Sequence, residues 1–118
     1  MRPSVFVTRD ISPVGLAILA SECEVSVWPQ PTPPAKQELM SVVRGRAGLL
    51  TMLSDVVDDA LMAAAGPQLK VVSNFAVGFD NIDLVAARRR GIAVGHTPDV
   101  LTDATADLAM ALLLSAAR

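Results

Sequence analysis

The sequence predicts an α/β fold in which a parallel sheet of five strands carries helices on both faces. Short β-rich segments alternate five times with helical segments, at a spacing of roughly twenty residues. This alternation is typical of parallel strands joined by right-handed crossovers. Hydrophobic residues make up 52% of the 118 residues and charged residues 19%, a composition that indicates a globular domain rather than a disordered chain.

Cap and turn residues separate the predicted elements in the first half of the chain. Ser12 and Pro13 match an N-cap and a first helical position. Four prolines between residues 29 and 34 indicate a surface loop, and Gly45 is placed to end a helix. The predicted elements are a strand at 4–8, a helix at 14–20, a strand at 24–28, a helix at 35–44 and a strand at 48–53.

The second half continues the pattern. Ser54 and Asp55 are predicted to cap a helix that Gly66 and Pro67 end. Three consecutive arginines at 88–90 are either a basic patch or ordinary cations in a last helical turn. The predicted elements are a helix at 56–65, a strand at 69–73, a helix at 84–90, a strand at 92–94 and a helix at 103–117.

The predicted helix at 103–117 differs from the others because it is apolar on nearly all sides. A helix of this kind is buried on more than one side. We therefore expect it to leave the sheet, after an N-cap at Thr102, toward a further domain. The run 108–117 is too short to cross a bilayer, so no membrane association is expected.

Composition excludes several classes of function. Ten basic and twelve acidic residues give a net charge of −2, which argues against a nucleic-acid partner. Cys23 is the single cysteine and His96 the single histidine, so neither a disulfide nor a Cys/His metal cluster is expected. The single cysteine and the lack of a signal-peptide core before Arg9 favour a cytoplasmic location.

The stretch 73–83 carries the strongest functional signal. It joins an apolar strand to a helix through Gly78, which could adopt positive φ without steric cost. Free amide groups in such a loop, at the carboxyl edge of a sheet, suit an anion such as a carboxylate. The alternative is an ordinary strand–helix turn in which Asp80 or Asp83 caps the helix.

Other catalytic signatures are missing. The seven glycines contain no Gly-x-Gly pair, so the dinucleotide fingerprint is absent from this chain. His96 has only Asp99 near it in sequence as an orienting carboxylate, and we interpret it as a surface histidine rather than a general base. No catalytic residue is predicted within these 118 residues.

Three motifs resemble the D-isomer-specific 2-hydroxyacid dehydrogenases, and within them most closely the glyoxylate/hydroxypyruvate reductase branch. The motifs are LKVVSNFAVGFDNID at 69–83, AARRRGIAV at 86–94 and TPDVLTDATADLA at 97–109. The segments VFVTR at 5–9 and GLLTMLSD at 48–55 also fit. The resemblance covers nearly the whole chain.

The resemblance implies a flavodoxin-like substrate-binding domain over 1–100 and the start of an interdomain helix over 101–118. It implies that the backbone amides of Val77 and Gly78 hold the substrate carboxylate, that Met52 and Leu53 line the substrate pocket, and that Thr105 lies near the nicotinamide.

The resemblance further implies that the catalytic Arg, Glu and His and the whole Rossmann domain follow residue 118. NAD(P)H would then serve the full-length enzyme and is not expected to bind this chain alone. A homodimer is the expected assembly, and a small 2-oxo or 2-hydroxy acid is the expected substrate. The alternative from another class is a stand-alone flavodoxin-like module that binds an anion or a partner without catalysis.

Overall fold

The computed structural model describes residues 2–97 and contains one parallel sheet of five strands. This confirms the predicted sheet and its alternation with helices. The predicted helix at 103–117 lies outside the described residues. The elements are β1 (Ser4–Val7), α1 (Pro13–Glu22), β2 (Glu24–Val27), α2 (Lys36–Val42), β3 (Gly48–Thr51), α3 (Asp59–Ala65), β4 (Val71–Asn74), α4 (Leu84–Arg89) and β5 (Ala93–Gly95).

The strands lie in the order β2-β1-β3-β4-β5, and every neighbouring pair is parallel. This is the flavodoxin-like order of a doubly wound sheet. The chain reverses its direction across the sheet after β2, so right-handed crossovers place α1 on one face and α2, α3 and α4 on the other. The carboxyl ends of β1, β3, β4 and β5 therefore meet at one edge.

The hydrophobic core lies between the sheet and the helices α2, α3 and α4. Phe6, Leu49 and Val72 are aligned on neighbouring strands and are almost fully buried. Leu39 of α2, together with Leu61 and Met62 of α3, packs over them in the same cluster. Burying a side chain of this size stabilises the fold by about 1.5–3 kcal/mol.

The opposite face is less covered by the described residues. Helix α1 contacts β2 but contains no buried residue. Val71 of β4 is 41% exposed, and Ala93 of β5 is exposed on the same side.

One predicted cap was wrong. Helix α3 begins at Asp59 rather than at residue 56, and its N-cap is Asp58, whose Oδ1 accepts a hydrogen bond of 3.0 Å from the Leu61 amide. Asp55 does not cap a helix, because its carboxylate is buried and bonded elsewhere. Two nearby acidic residues offer the same local capping chemistry, and only the tertiary environment of Asp55 distinguishes them.

Candidate functional site

Two loops at the carboxyl edge of the sheet form the candidate site. The first, 52–58, follows β3, and the second, 75–83, follows β4. The strands are neighbours, so the loops lie side by side, and backbone hydrogen bonds join them. The amide of Val57 donates to the Asn81 carbonyl at 2.8 Å, and the amide of Asp83 donates to the Val57 carbonyl at 2.9 Å.

Two asparagine side chains connect the loops more deeply. Asn74, 1% exposed at the end of β4, donates from Nδ2 to the Gly78 carbonyl at 3.0 Å and to Asn81 Oδ1 at 2.9 Å. Asn81 in turn donates from Nδ2 to the carbonyls of Met52 and Asp55, at 3.0 and 2.8 Å. Met52 and Gly78 are therefore held by one continuous amide network.

A buried carboxylate fixes the start of the first loop. Asp55 is 2% exposed, and its Oδ2 accepts from the Met52 amide at 2.8 Å and from the Thr8 hydroxyl. Thr8 follows β1, so this contact joins the ends of β1 and β3. Ligands of a doubly wound sheet bind where the strand order reverses, which in this fold is between β1 and β3.

The half-buried side chain of Arg9 lies at the same corner. Its guanidinium donates to the Ser54 hydroxyl at 2.9 Å and to the Pro31 carbonyl at 3.2 Å. A cation is thus held beside the first loop, where it favours a negatively charged ligand.

The second loop is held from the side of β5. The Ala76 carbonyl accepts from both the amide and the hydroxyl of Thr97, each at 2.9 Å. The Val77 carbonyl lies 2.8 Å from His96 Nδ1. The imidazole of His96 also meets the Phe79 ring edge-on, with the ring centroids 5.0 Å apart and the planes at 73°.

Three successive amides in the middle of this loop have no acceptor among the described residues. Within residues 2–97, the amides of Val77, Gly78 and Phe79 donate no hydrogen bond. A Cβ built on Gly78 would meet no atom of the described residues within 4 Å. Unpaired amides beside open space are the donors that an anion such as a carboxylate requires.

Gly78 does not use the positive φ that its lack of a side chain permits. The glycines with positive φ in the described part of the chain are Gly45, Gly66 and Gly91. A glycine permits that conformation, but the hydrogen bonds around the loop decide whether it is adopted. Asp83 does cap α4, accepting from the Ala86 amide at 3.0 Å. The capping alternative is therefore right about Asp83 and compatible with an open loop.

The structure brings four of the predicted site residues to one edge of the sheet: Met52, Leu53, Val77 and Gly78. Met52 is half-buried, and Leu53 is 60% exposed. The same two loops also expose Val56, Phe75 and Phe79, which gives this edge an apolar character. Thr105 lies outside the described residues.

Sequence reasoning missed Asn74 and Asn81, and it interpreted His96 only as a surface residue. An amide that ends a buried apolar strand is a usable signal, because a buried polar group needs partners. Asn74 fits that description. His96 carries no comparable signal, since its partner Val77 lies 19 residues away.

Among residues 2–97 there is no group of three or more His, Cys, Asp or Glu residues that could hold a metal ion. The same part of the chain contains no helix long and apolar enough to cross a membrane.

The amino-acid sequence of this chain is similar to that of a known protein family. The sequence model of the D-isomer specific 2-hydroxyacid dehydrogenase catalytic domain matches residues 5–114. The glyoxylate reductase of Thermococcus kodakarensis is 51% identical over 118 residues, which are 100% of this chain and 35% of that protein.

Solved structures of similar proteins superpose on this fold. A protein from Thermus thermophilus superposes with a TM-score of 0.87 at 46% identity, over 100% of this chain and 37% of that one. The NADPH-dependent glyoxylate/hydroxypyruvate reductase of Sinorhizobium meliloti, solved with NADP and malonate, gives a TM-score of 0.74 at 34% identity, over 97% of this chain and 34% of that one. The chain thus spans about a third of the length of these relatives.

Proposed function

The chain belongs to the D-isomer specific 2-hydroxyacid dehydrogenase family, and on that premise we propose that it is the substrate-binding part of an NAD(P)-dependent reductase of glyoxylate and hydroxypyruvate. The reaction is the reduction of a 2-oxo acid to the 2-hydroxy acid. Within that enzyme, the role of this chain is to bind and orient the acid.

One observation carries the proposal: among residues 2–97, the amides of Val77 and Gly78 have no partner, and no atom lies within 4 Å of a Cβ built on Gly78. A backbone amide that donates to a carboxylate forms a charge-assisted bond, worth roughly 1.5–3 kcal/mol. Two such bonds supply much of the binding energy of a small carboxylic acid. Malonate, which the Sinorhizobium meliloti enzyme binds, is likewise a small carboxylate.

The pocket beside the carboxylate is assigned to Met52 and Leu53. The backbone of Met52 is fixed at both its amide and its carbonyl, by Asp55 and by Asn81. A fixed backbone keeps the adjoining side chains in place beside the substrate. The apolar side chains of Met52 and Leu53 suit the small carbon skeleton of glyoxylate or hydroxypyruvate. The carboxylate is then bound by the backbone amides of Val77 and Gly78.

NAD(P)H, when bound, supplies the hydride for this reduction. The described residues do not fit the cofactor by themselves, because no Gly-x-Gly turn is present to receive its pyrophosphate. We therefore assign cofactor binding and acid–base catalysis to the remainder of the enzyme. In this assignment 1–100 is the substrate-binding domain, 101–118 begins the crossing helix, and Thr105 lies near the nicotinamide.

The complete enzyme is proposed to be a cytoplasmic homodimer, as the family resemblance implies. Light scattering of the purified full-length protein would measure its mass. A monomeric mass would remove the dimer from the proposal without affecting the substrate assignment.

The experiment that tests the function compares two substrates with the same aldehyde group. The complete polypeptide containing this chain is assayed for NAD(P)H oxidation with glyoxylate and with glycolaldehyde, which lacks the carboxylate. We expect kcat/KM for glyoxylate to exceed that for glycolaldehyde by about 100-fold or more, which corresponds to two amide–carboxylate bonds. Equal kcat/KM values would contradict carboxylate binding, and no oxidation with any 2-oxo acid would contradict the reductase.

A further inference from the structure

We propose that His96 is a positioning residue, which aims the Gly78 amide at the substrate carboxylate by holding the carbonyl of Val77. The inference rests on the proposed function and adds to it a residue that does not touch the substrate. Its basis is the pattern of hydrogen bonds on the side of the loop that faces β5.

The geometry of the peptide unit makes this possible. A trans peptide is planar, and its C=O and N–H point in opposite directions. The carbonyl of one residue and the amide of the next therefore turn together. A side chain that fixes the Val77 carbonyl also fixes the direction of the Gly78 amide.

Three successive carbonyls of the loop are held in this way. The hydroxyl of Thr97 holds the carbonyl of Ala76. His96 holds the carbonyl of Val77. Asn74 holds the carbonyl of Gly78. The amides on the opposite ends of these three peptide units belong to Val77, Gly78 and Phe79. These are the same amides that find no acceptor within residues 2–97.

His96 is the member of this set whose role can be isolated. The Ala76 carbonyl is also held by the backbone amide of Thr97, so it keeps a partner after any substitution there. Asn74 is fully buried and serves Thr51 and Asn81 as well, so its loss would disturb the whole network. His96 is half-buried, and within residues 2–97 its hydrogen bond reaches only Val77.

The contact also indicates the tautomer of the neutral ring. A carbonyl oxygen only accepts, so the hydrogen lies on Nδ1 of His96. The edge-on contact with Phe79 holds the imidazole in this orientation.

The test uses the complete enzyme with two substitutions of similar shape, His96→Asn and His96→Leu. Asparagine retains an N–H donor near the position of Nδ1, and leucine does not. We expect His96→Leu to raise KM for glyoxylate by about three- to tenfold, the range of one ordinary hydrogen bond. Since the carboxylate is bound equally in the ground and transition states, kcat should change little.

Asparagine should restore KM to within about twofold of the original value, and KM for NAD(P)H should not change in either variant. Gln37→Leu, an exposed polar-to-leucine change on α2, serves as the control. Equal KM values for the two His96 variants would overturn the inference. So would a fall in kcat together with a change in both KM values and a lower melting temperature, since that pattern indicates only a structural role.

The unmodified protein offers a second test, which does not depend on the folding of a variant. Nitrogen-15 NMR of the neutral imidazole should find the hydrogen of His96 on Nδ1 and not on Nε2. The Nε2–H tautomer would overturn the inference. Failure of the original enzyme to reduce glyoxylate contradicts the proposed function, whereas normal reduction with an unchanged KM in His96→Leu contradicts only the role of His96.

Discussion

At Gly78, we expect a substitution to weaken substrate binding without destabilising the fold. A Cβ at this position would meet no atom of residues 2–97 within 4 Å, and the backbone is outside the left-handed region. We expect Gly78→Val in the complete enzyme to raise KM for glyoxylate about tenfold or more, because the branched side chain occupies the approach of the carboxylate. The melting temperature and KM for the cofactor should stay near their original values.

Gly66 provides the matched control for Gly78. It has φ of 102°, and a Cβ there would lie 2.7 Å from Gln68 Oε1. Gly66→Ala should therefore destabilise the fold by about 1 kcal/mol or more, while KM for glyoxylate stays constant. If Gly78→Val lost as much stability as Gly66→Ala, or left KM unchanged, Gly78 would be only a turn residue.

Asp55 is a buried residue at this edge whose loss should destabilise the fold. Asp55→Ala removes the acceptor for the Met52 amide and the Thr8 hydroxyl and leaves both groups without it. We expect the free energy of unfolding to fall by about 2–3 kcal/mol, measured by urea denaturation with an unchanged m value. Asp55→Asn retains an acceptor oxygen and should cost clearly less. Equal costs would indicate that the negative charge, rather than the hydrogen bonds, matters.

At the scale of elements, acidic residues at the start of α3 join it to both neighbouring helices. Asp58 is the N-cap of α3 and pairs with Lys36 of α2 at 2.6 Å. Asp59 accepts 2.9 Å bonds from Arg89 and Arg90 at the end of α4. Arg89 and Arg90 thus join α4 to α3. As cations at the C-terminal end of α4, they also stabilise that helix through its dipole.

The Lys36 pair makes the stability of the α2–α3 contact depend on pH. The hydrogen bond from Lys36 lowers the pKa of Asp58 below the ordinary value for an aspartate. A lowered pKa in the folded state stabilises the fold above the unfolded value, and this contribution is lost as the pH falls through about 4 and below. Both side chains are about 40% exposed, so the contribution should be below about 1 kcal/mol.

Urea denaturation at about pH 7 and about pH 3 tests this link. Asp58→Asn keeps a capping oxygen but loses the charge, so its stability should fall less on acidification than that of the original protein. Lys36→Met should reduce the pH dependence by a similar amount. An unchanged pH dependence in both variants would show that the pair contributes nothing.

For the chain as a whole, the proposed function assigns substrate binding to these residues and catalysis to the rest of the enzyme. We expect the purified 118 residues to oxidise no NAD(P)H in the presence of glyoxylate, because they contain no Gly-x-Gly turn and no recognisable acid–base pair. Spectrophotometry at high protein concentration measures this directly. Turnover that persists after contaminating enzymes are removed would contradict the assignment of catalysis to the rest of the enzyme.

Self-association is a second expectation for the whole chain. The run 108–117 contains no charged residue, and an apolar surface of this kind promotes association where it is exposed. Sedimentation velocity over a range of concentrations should show species larger than the monomer. A single 12.4 kDa species at all concentrations would indicate that this run is covered within the same chain.

Features that depend on neighbouring residues could be predicted from the sequence. Alternating apolar segments predicted five strands, Ser12 predicted the start of α1, and Asp83 was one of two candidate caps for α4, all from chemistry within a few residues. The loop around Gly78 was predicted to lie at the carboxyl edge for the same reason, since it follows a buried strand directly. These signals are local and need no knowledge of the sheet.

The burial of Asp55 and the partners of Asn74 and His96 depend instead on the tertiary structure. Thr8 and Asp55 are 47 residues apart, and His96 and Val77 are 19 apart, so no spacing in the sequence connects them. The parallel sheet brings them together because strands remote in the chain end at one edge. Asp55 and Asp58 have equal capping potential locally, and burial beside Thr8 is the physical reason that only Asp58 caps α3.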